Sequence, residues 1–405
     1  MQYEKKIEEI FARHPSVQVS GFNGRTYKAG IESMIAFDDA LGHPWKSFPC
    51  IHVAGTNGKG SVSSLLAASL AGAGLRVGLF TSPHLIDFRE RIKIVGGHPT
   101  LISKEEVMEF LERYDEEIKE LSFFEITTGM AMWWFEKQKV DAAVIEVGLG
   151  GRLDSTNVIT PILSVVTSIG LDHCAMLGDT RAEIALEKAG IFKKGVPALV
   201  WGHDKETDEV FEEYARKVGA DLHFADEMVE PVHLDGMDLR GEYQDANVRT
   251  ALAALKLLRF EANPDALRNT AKITGLRGRW EILRENPTVI CDIGHNPAAL
   301  ALNFRQLEQY RKPLTIVYGI MADKALDDIA PLMPSSARYI LCAPATPRAL
   351  PVDELFNRLS TLRPDLNLSM ADSVSNAINQ ALAEASPDSI IYIGGSTFVV
   401  AEALK

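Results

Sequence analysis

Short apolar, β-branched runs alternate with helical patterns along nearly the whole chain. Strand-like runs fall at 50–54, 76–81, 141–147, 162–169, 196–201, 288–293, 314–319, 338–343 and 388–393. Helical patterns fall at 61–73, 123–138, 179–189, 204–217, 244–259, 297–310, 372–384 and 396–404, and from Ser103, where Ser103 and Glu106 form a capping-box pair. Strands separated by helices pair in parallel, and parallel sheets are covered on both faces. Segment 226–243 is irregular, with room for a short β excursion. The stretch "GLRGRWEILRENPTVICDIGHNP" reads as a seam, with a domain boundary near 283–288.

Composition narrows the function. The chain has 405 residues, 46% hydrophobic and 24% charged, an ordinary balance for a soluble protein. No apolar run approaches the roughly 18–20 residues of a membrane span, and "MQYEKKIEEIFARHP" has no signal-like apolar core. Cytoplasm is the expected location, with no membrane partner. Acidic residues outnumber basic ones 55 to 42, for a net charge of −13, which argues against a backbone-reading nucleic-acid binder. Four cysteines (Cys50, Cys174, Cys291, Cys342) make no Cys-x-x-Cys pair and read as reduced, buried thiols.

The stretch "IHVAGTNGKGSVSSLL" (51–66) runs strand, glycine-rich loop, helix. Glycines let backbone N–H groups converge on an anion, and the following helix points its positive end there. Lys59 can reach β- and γ-phosphate oxygens, and Ser61 can offer a hydroxyl to Mg²⁺. The spacing differs from the common phosphate loop, with Gly55 and Gly58 two residues apart and Gly60 between lysine and serine. The alternative is a glycine-rich turn with an exposed lysine.

Other strand ends carry chemistry too. Ser82-Pro83-His84 follows the second strand, where Ser82 is either a hard oxygen ligand or part of a plain turn. Glu146 ends a buried strand and needs a cation, either Mg²⁺ or an arginine such as Arg152. His173 ends a third such strand. A loop histidine is commonly a satisfied or surface residue, and histidine is an unusual magnesium ligand. Lys188 lies in the last turn of a helix closed by Gly190, where it complements the helix dipole. Asn247 opens a helix as a cap or an adenine reader. Arg279 is a surface arginine or a phosphate contact. Asp292, His295 and Asn296 close a strand after the seam. "IYIGGSTFVVAE" near the end is a strand, turn and helix start whose amides suit a carboxylate.

"VAGTNGKGS" resembles the nucleotide loop of the Mur ligase superfamily. More narrowly, the chain looks like its folate branch, the folylpolyglutamate synthase/dihydrofolate synthase family, with "SPHL" and "GGRLDSTN" agreeing in order and spacing. The resemblance implies an α/β fold: a P-loop-type, mostly parallel sheet domain over 1–284 that binds ATP and pterin, then a smaller Rossmann-like α/β domain over 285–405 that handles glutamate. It implies ATP bound by Gly55, Thr56, Asn57, Gly58, Lys59, Gly60, Ser61, Asn247, Arg279 and Asp292. Mg²⁺ falls to Ser61, Ser82, Glu146 and His173, with a monovalent cation such as K⁺ as a further cofactor. Catalysis falls to Lys59, to Lys188 as a carbamate, and to His295. The substrate side falls to Lys28, Ser82, Pro83, His84, Phe124, Glu125, Leu153, Asp154 and Ser155, although a helix-face aromatic is ordinarily core.

Two departures stand out. Arg277 replaces a usual proline, and Ile293 and Gly294 replace the middle of an Asp-Gly-Ala-His-Asn-Pro pattern. The implied reaction is ATP-dependent addition of L-glutamate to dihydropteroate or reduced folates by a monomer, through an acyl phosphate, with hinge closure near 283–288. Two alternatives stay open: a Mur-type ligase acting on a peptidoglycan precursor, and a nucleotide-regulated binding protein without ligase chemistry. A dinucleotide oxidoreductase is disfavoured, because no strand is followed by Gly-x-Gly-x-x-Gly.

Overall fold

A computed structural model describes residues 2–14, 16–21 and 30–405. Lys28 lies outside the described residues. Two compact units divide the chain. One runs to Asp238 and resumes over Gln244–Leu276, and the other takes Leu239–Tyr243 and Arg277–Lys405.

The first unit holds β1 (Cys50–Ala54), β2 (Val77–Phe80), β3 (Ile92–Val95), β4 (Thr100–Leu101), β5 (Ala142–Glu146), β6 (Leu163–Val166), β7 (Pro197–Val200) and β8 (Asp221–Phe224). They form one sheet in the order β4-β3-β2-β5-β1-β6-β7-β8. Only the β2–β3 and β3–β4 pairs are antiparallel. The central strands are buried along their whole length, as a sheet covered on both faces requires. Helix Lys59–Gly72 is buried from Gly60 through Leu70. It packs on β2 and β5 and against helices Gln244–Leu257, Pro264–Arg268 and Thr270–Thr274. A helix enclosed on every side carries small and apolar residues all round, and "GSVSSLLAASL" does.

The second unit holds β9 (Glu281–Glu285), β10 (Thr288–Cys291), β11 (Leu314–Tyr318), β12 (Arg338–Leu341), β13 (Asn367–Met370) and β14 (Ile390–Gly394), in the order β13-β12-β11-β14-β10-β9. Five strands are parallel, and β9 pairs antiparallel with β10. Alternate residues of β11 and β14 face two separate cores. Ile316, Tyr318 and Tyr392 join one, and Val317, Ile391 and Ile393 the other.

The boundary expected at 283–288 moves upstream. β9 and β10 form one hairpin of the second sheet, so the chain changes units after Leu276. The irregular stretch before it carries a short helix (Ala225–Met228) and turns, with no strand between 229 and 243.

Candidate active site

β2, β5, β1 and β6 are four consecutive neighbours, all parallel. Their C-terminal ends therefore open on one edge of the sheet. That edge receives Ser82 after β2, Glu146 at the end of β5, the 55–61 loop after β1 and His173 after β6. Ligands of open α/β sheets bind at such an edge.

The loop is tied to the exit of β6. Thr56 N donates to Ser168 O at 2.7 Å, and Thr56 Oγ1 donates to Gly170 O at 3.0 Å. Asn57 O accepts from Thr167 Oγ1 at 2.7 Å and from Ser168 Oγ at 3.0 Å. Gly58 (φ 88°) caps the helix that starts at Lys59, and a Cβ there would overlap the Asn247 carboxamide. Gly55 (φ 149°) leaves the same kind of room for Thr167. Lys59 Nζ donates to Gly55 O at 2.8 Å and Thr56 O at 3.2 Å. Gln244 Nε2 donates to Ser61 Oγ at 3.1 Å, and Gln244 Oε1 accepts from Asn247 Nδ2 at 2.8 Å. Asn247 thus packs on the loop through its helix, and Gln244, which the sequence reading passed over, orients Ser61.

Glu146 is 2% exposed. Strand pairing sets Phe80 opposite Ile145, so Ser82 reaches Glu146, and its amide donates to Oε2 at 3.3 Å. Arg91 is a cation near Glu146 among the described residues, and Glu146 stabilises its guanidinium through charge. Arg152, the candidate partner named from sequence, pairs with Glu187 instead at 2.7 Å. His173 adopts φ 54° at the start of helix Cys174–Leu177. One carboxylate, two hydroxyls and one imidazole make a mostly hard donor set that fits Mg²⁺, which keeps positions for water and phosphate. Among the described residues no three His, Cys, Asp or Glu side chains gather tightly enough to hold a metal by themselves.

Lys188 is 3% exposed, and burial pushes its ammonium down from 10.5 to about 7. The neighbouring Lys59 adds to that shift, while Asp172, Asp154 and Glu187 oppose it. Gly190 is right-handed (φ −56°) and is required for contact, since a Cβ would strike Arg152. Loop 148–157 thereby packs on the end of the Lys188 helix. Asp154 clamps this loop. Its Oδ2 accepts from Gly148 N at 3.1 Å and Leu149 N at 2.9 Å, and its Oδ1 accepts from Thr156 N at 3.0 Å and from the Thr156 hydroxyl. Burial raises the Asp154 pKa, and these bonds pull against it. His52 meets the same hydroxyl at 2.8 Å.

On the substrate side, Phe124 lies against Gly148 and Phe80. Leu153 and Ser155 are half-buried beside Asp154, and Pro83 is exposed. Glu125 is 3% exposed and needs correction as a substrate contact. Oε2 accepts from Ser122 N at 2.6 Å in the capping box of helix Phe123–Lys137, and Oε1 accepts from the Ser33 hydroxyl.

In the second unit, Asp292 is 3% exposed and accepts four bonds: Tyr243 Oη at 2.6 Å, Trp280 N at 2.8 Å, Gly294 N at 2.7 Å and Asn303 Nδ2 at 2.8 Å. A ribose hydroxyl would have to share or displace one of these donors. The bond to Gly294 also holds the turn where the sequence departs from the family pattern. At the other departure, Arg277 Nε donates to Glu281 Oε1 at 2.6 Å and Gly278 N to Oε2 at 2.8 Å. Arg279 sits beside them, its Nη1 on Arg277 O at 3.3 Å. His295 Nδ1 lies 3.0 Å from Ile293 O, and a carbonyl only accepts, so the proton is on Nδ1 and Nε2 is the acceptor nitrogen. Asn296 caps helix Pro297–Gln309. After β14, Ser396 caps a helix of only seven residues.

Two family models match the chain: "Mur ligase middle domain" over 53–225 and "Mur ligase, glutamate ligase domain" over 278–397. A folylpolyglutamate synthase of Lacticaseibacillus casei is 33% identical over 393 residues, covering 89% of this chain and 90% of that one. This chain belongs to the folylpolyglutamate synthase/dihydrofolate synthase family.

A family relative from Haloferax volcanii, a probable bifunctional folylpolyglutamate synthase/dihydropteroate synthase, is 33% identical over 93% of this chain. The chain spans about half of that relative's length, 48%. The structure of E. coli FolC in complex with DHPP and ADP superposes with a TM-score of 0.85 at 29% identity, covering 99% of this chain and 96% of FolC. A bifunctional folylpolyglutamate synthase/dihydrofolate synthase with Mn, AMPPNP and L-glutamate bound gives 0.81 at 29% identity, covering 93% and 94%.

Within this family member, Asp154 yields a stability prediction. Asp154→Ala orphans the amides of Gly148, Leu149 and Thr156, so unfolding in urea should lose about 2–4 kcal/mol. A loss below about 1 kcal/mol would show that the clamp is not structural.

Proposed function

We propose that this protein joins L-glutamate to a pterin-bearing acid, dihydropteroate or a reduced folate, at the cost of ATP and through an acyl phosphate. The observation that carries this reading is the edge shared by four adjacent parallel strands, which gathers the anion loop, Ser82, Glu146 and His173. We further read the protein as a cytoplasmic monomer acting on small molecules, without nucleic-acid or membrane partners. No helix among the described residues is long and apolar enough to cross a membrane.

The loop amides, the Lys59 ammonium and the N-terminus of helix Lys59–Gly72 hold the triphosphate and draw off charge as it shifts. Ser61, Ser82, Glu146 and His173 would hold Mg²⁺, which when bound screens the phosphate oxygens and polarises the γ-phosphoryl group. The acid substrate's carboxylate oxygen attacks the γ-phosphorus, and ADP leaves. Carboxylate is a poor electrophile, whereas an acyl phosphate carries a good leaving group. The glutamate amine then attacks the acyl carbon, and phosphate departs. In this reading His295, with Nε2 as its acceptor nitrogen, takes the amine proton. Asn247, Arg279 and Asp292 serve the nucleotide, in the same reading. Lys188 acts as a carbamate: the ammonium gives up a proton to solvent, the neutral amine favoured by its surroundings bonds to the carbon of CO₂, and a second proton leaves to solvent, so that an anion stands beside Lys59.

Phosphate release is the test. Release should require ATP, glutamate and either dihydropteroate or tetrahydrofolate together. Release driven by a muramyl precursor instead would make this a Mur-type ligase on peptidoglycan. ATP binding with no glutamate-dependent release would make it a nucleotide-regulated binding protein.

A further inference from the structure

The turn that carries Ser82 is braced by a closed ring of three residues, two side-chain bonds and one to the backbone. Arg91, 4% exposed, donates from Nε to His84 Nδ1 at 2.9 Å and from Nη2 to Gln18 Oε1 at 2.7 Å. Gln18 Nε2 donates in turn to the His84 carbonyl at 2.8 Å. The guanidinium also lies over the Phe123 ring, 5.4 Å from its centroid. Beyond His84, Glu90 gathers the amides of Leu85, Ile86 and Asp87 at 2.8, 3.0 and 2.8 Å. The turn is therefore held from both sides.

This ring sets the chemistry of His84. A guanidinium has donors only, so Nδ1 of His84 is the acceptor, and in a neutral imidazole the proton then sits on Nε2. With Nδ1 accepting from a guanidinium at 2.9 Å, the imidazole ring carries a single proton and is neutral. A lysine could not replace Arg91, because two planar bonds to two partners need the guanidinium fork.

We propose that Arg91 and Gln18 are positioning residues that fix His84 as an Nε2–H donor, through which the Ser82–His84 turn orients an acceptor oxygen of the acid substrate. The proposal rests on the folate-ligase reading for the identity of that substrate. A neutral donor suits the reaction. It orients a carboxylate without protonating it or pairing with its charge, so the oxygen stays nucleophilic toward the γ-phosphorus. An imidazolium would quench it.

Nitrogen-15 NMR of enzyme labelled in its histidine rings tests the tautomer directly, with His84 assigned from the signal lost in His84→Gln. In the free wild-type enzyme Nδ1 should resonate as an unprotonated nitrogen and Nε2 as a protonated one. Dihydropteroate should then shift the Nε2 signal. In Arg91→Lys both tautomers should appear, and the KM for dihydropteroate should rise about tenfold, one hydrogen bond's worth. The KM for ATP should stay within about twofold. Gln18→Ala should move the same KM in the same direction by less. A protonated Nδ1 in the wild type, or both KM values rising together, overturns the proposal. If Arg91→Lys does not fold, the wild-type spectrum and Gln18→Ala decide it. Absence of phosphate release with both dihydropteroate and tetrahydrofolate fells the folate reading and the substrate half of this proposal. The tautomer is read in the free enzyme and is judged separately.

Discussion

Lys59→Ala is expected to cut glutamate-dependent phosphate release by about a thousandfold, the scale seen when a charge-stabilising donor is removed from a transition state. The fold should survive. Thr56 and Asn57 tie the loop to residues 167–170 independently of the lysine. The two bonds lost, at Gly55 O and Thr56 O, lie within the loop that those contacts already hold. Steady-state turnover and a thermal melt check both parts. A folded variant with wild-type turnover would remove the 55–61 loop from the chemistry.

Lys188 carries the second large effect. Its folded pKa of about 7 lies below the ordinary 10.5. Between those values the unfolded chain holds a proton at this site that the folded chain lacks, so stability from this site rises with pH across that window. Below about pH 7 both forms are protonated and the penalty of burying the ammonium is complete, on the order of 4–5 kcal/mol from 1.36 kcal/mol per pKa unit. In CO₂-free buffer, Lys188→Met should flatten the pH dependence of urea unfolding and stabilise the protein most at low pH. The same neutral amine should make turnover depend on dissolved CO₂. Lys188→Ala should lose about a hundredfold or more, with partial rescue by short carboxylic acids that place an anion where the carbamate stood. Indifference to both bicarbonate and added acids would refute a carbamate at this position.

Strands at the centres of the two sheets are plain in the sequence, and strands toward the edges are not. β1, β5, β6 and β14 are buried along their whole length and read as largely apolar runs, with only His52, Glu146 and Ser164 as strongly polar members of the first three. β8 and β13 lie at sheet edges and are half-exposed, so "DLHF" and "NLSM" carry polar residues that hide the pattern. β9 is an edge strand as well, with exposed Arg284 and Glu285, and missing it misplaced the seam. β3 was hidden differently, since Lys93 interrupts it and is buried by reaching the Thr274 carbonyl at 3.1 Å.

Within the site, residues at strand ends were legible because parallel strands deliver their C-termini to one edge. Arg91 was not, because in "FRERI" it looks like one more surface charge. Gln244 was not, because a glutamine opening a helix three residues before Asn247 has no signature in spacing. Glu125 looked like a substrate contact, yet a Ser-x-x-Glu pair at Ser122 was available as a warning.

The enclosure of helix Lys59–Gly72 has a consequence for how nucleotide is met. A flexible phosphate loop must surrender conformational freedom each time it grips its ligand. Here the first turn of the gripping element is walled in by its neighbours, so that ordering is complete once the chain has folded. On the proposed function, nucleotide would arrive at a seat already cast, and its binding energy would remain available for the chemistry that follows.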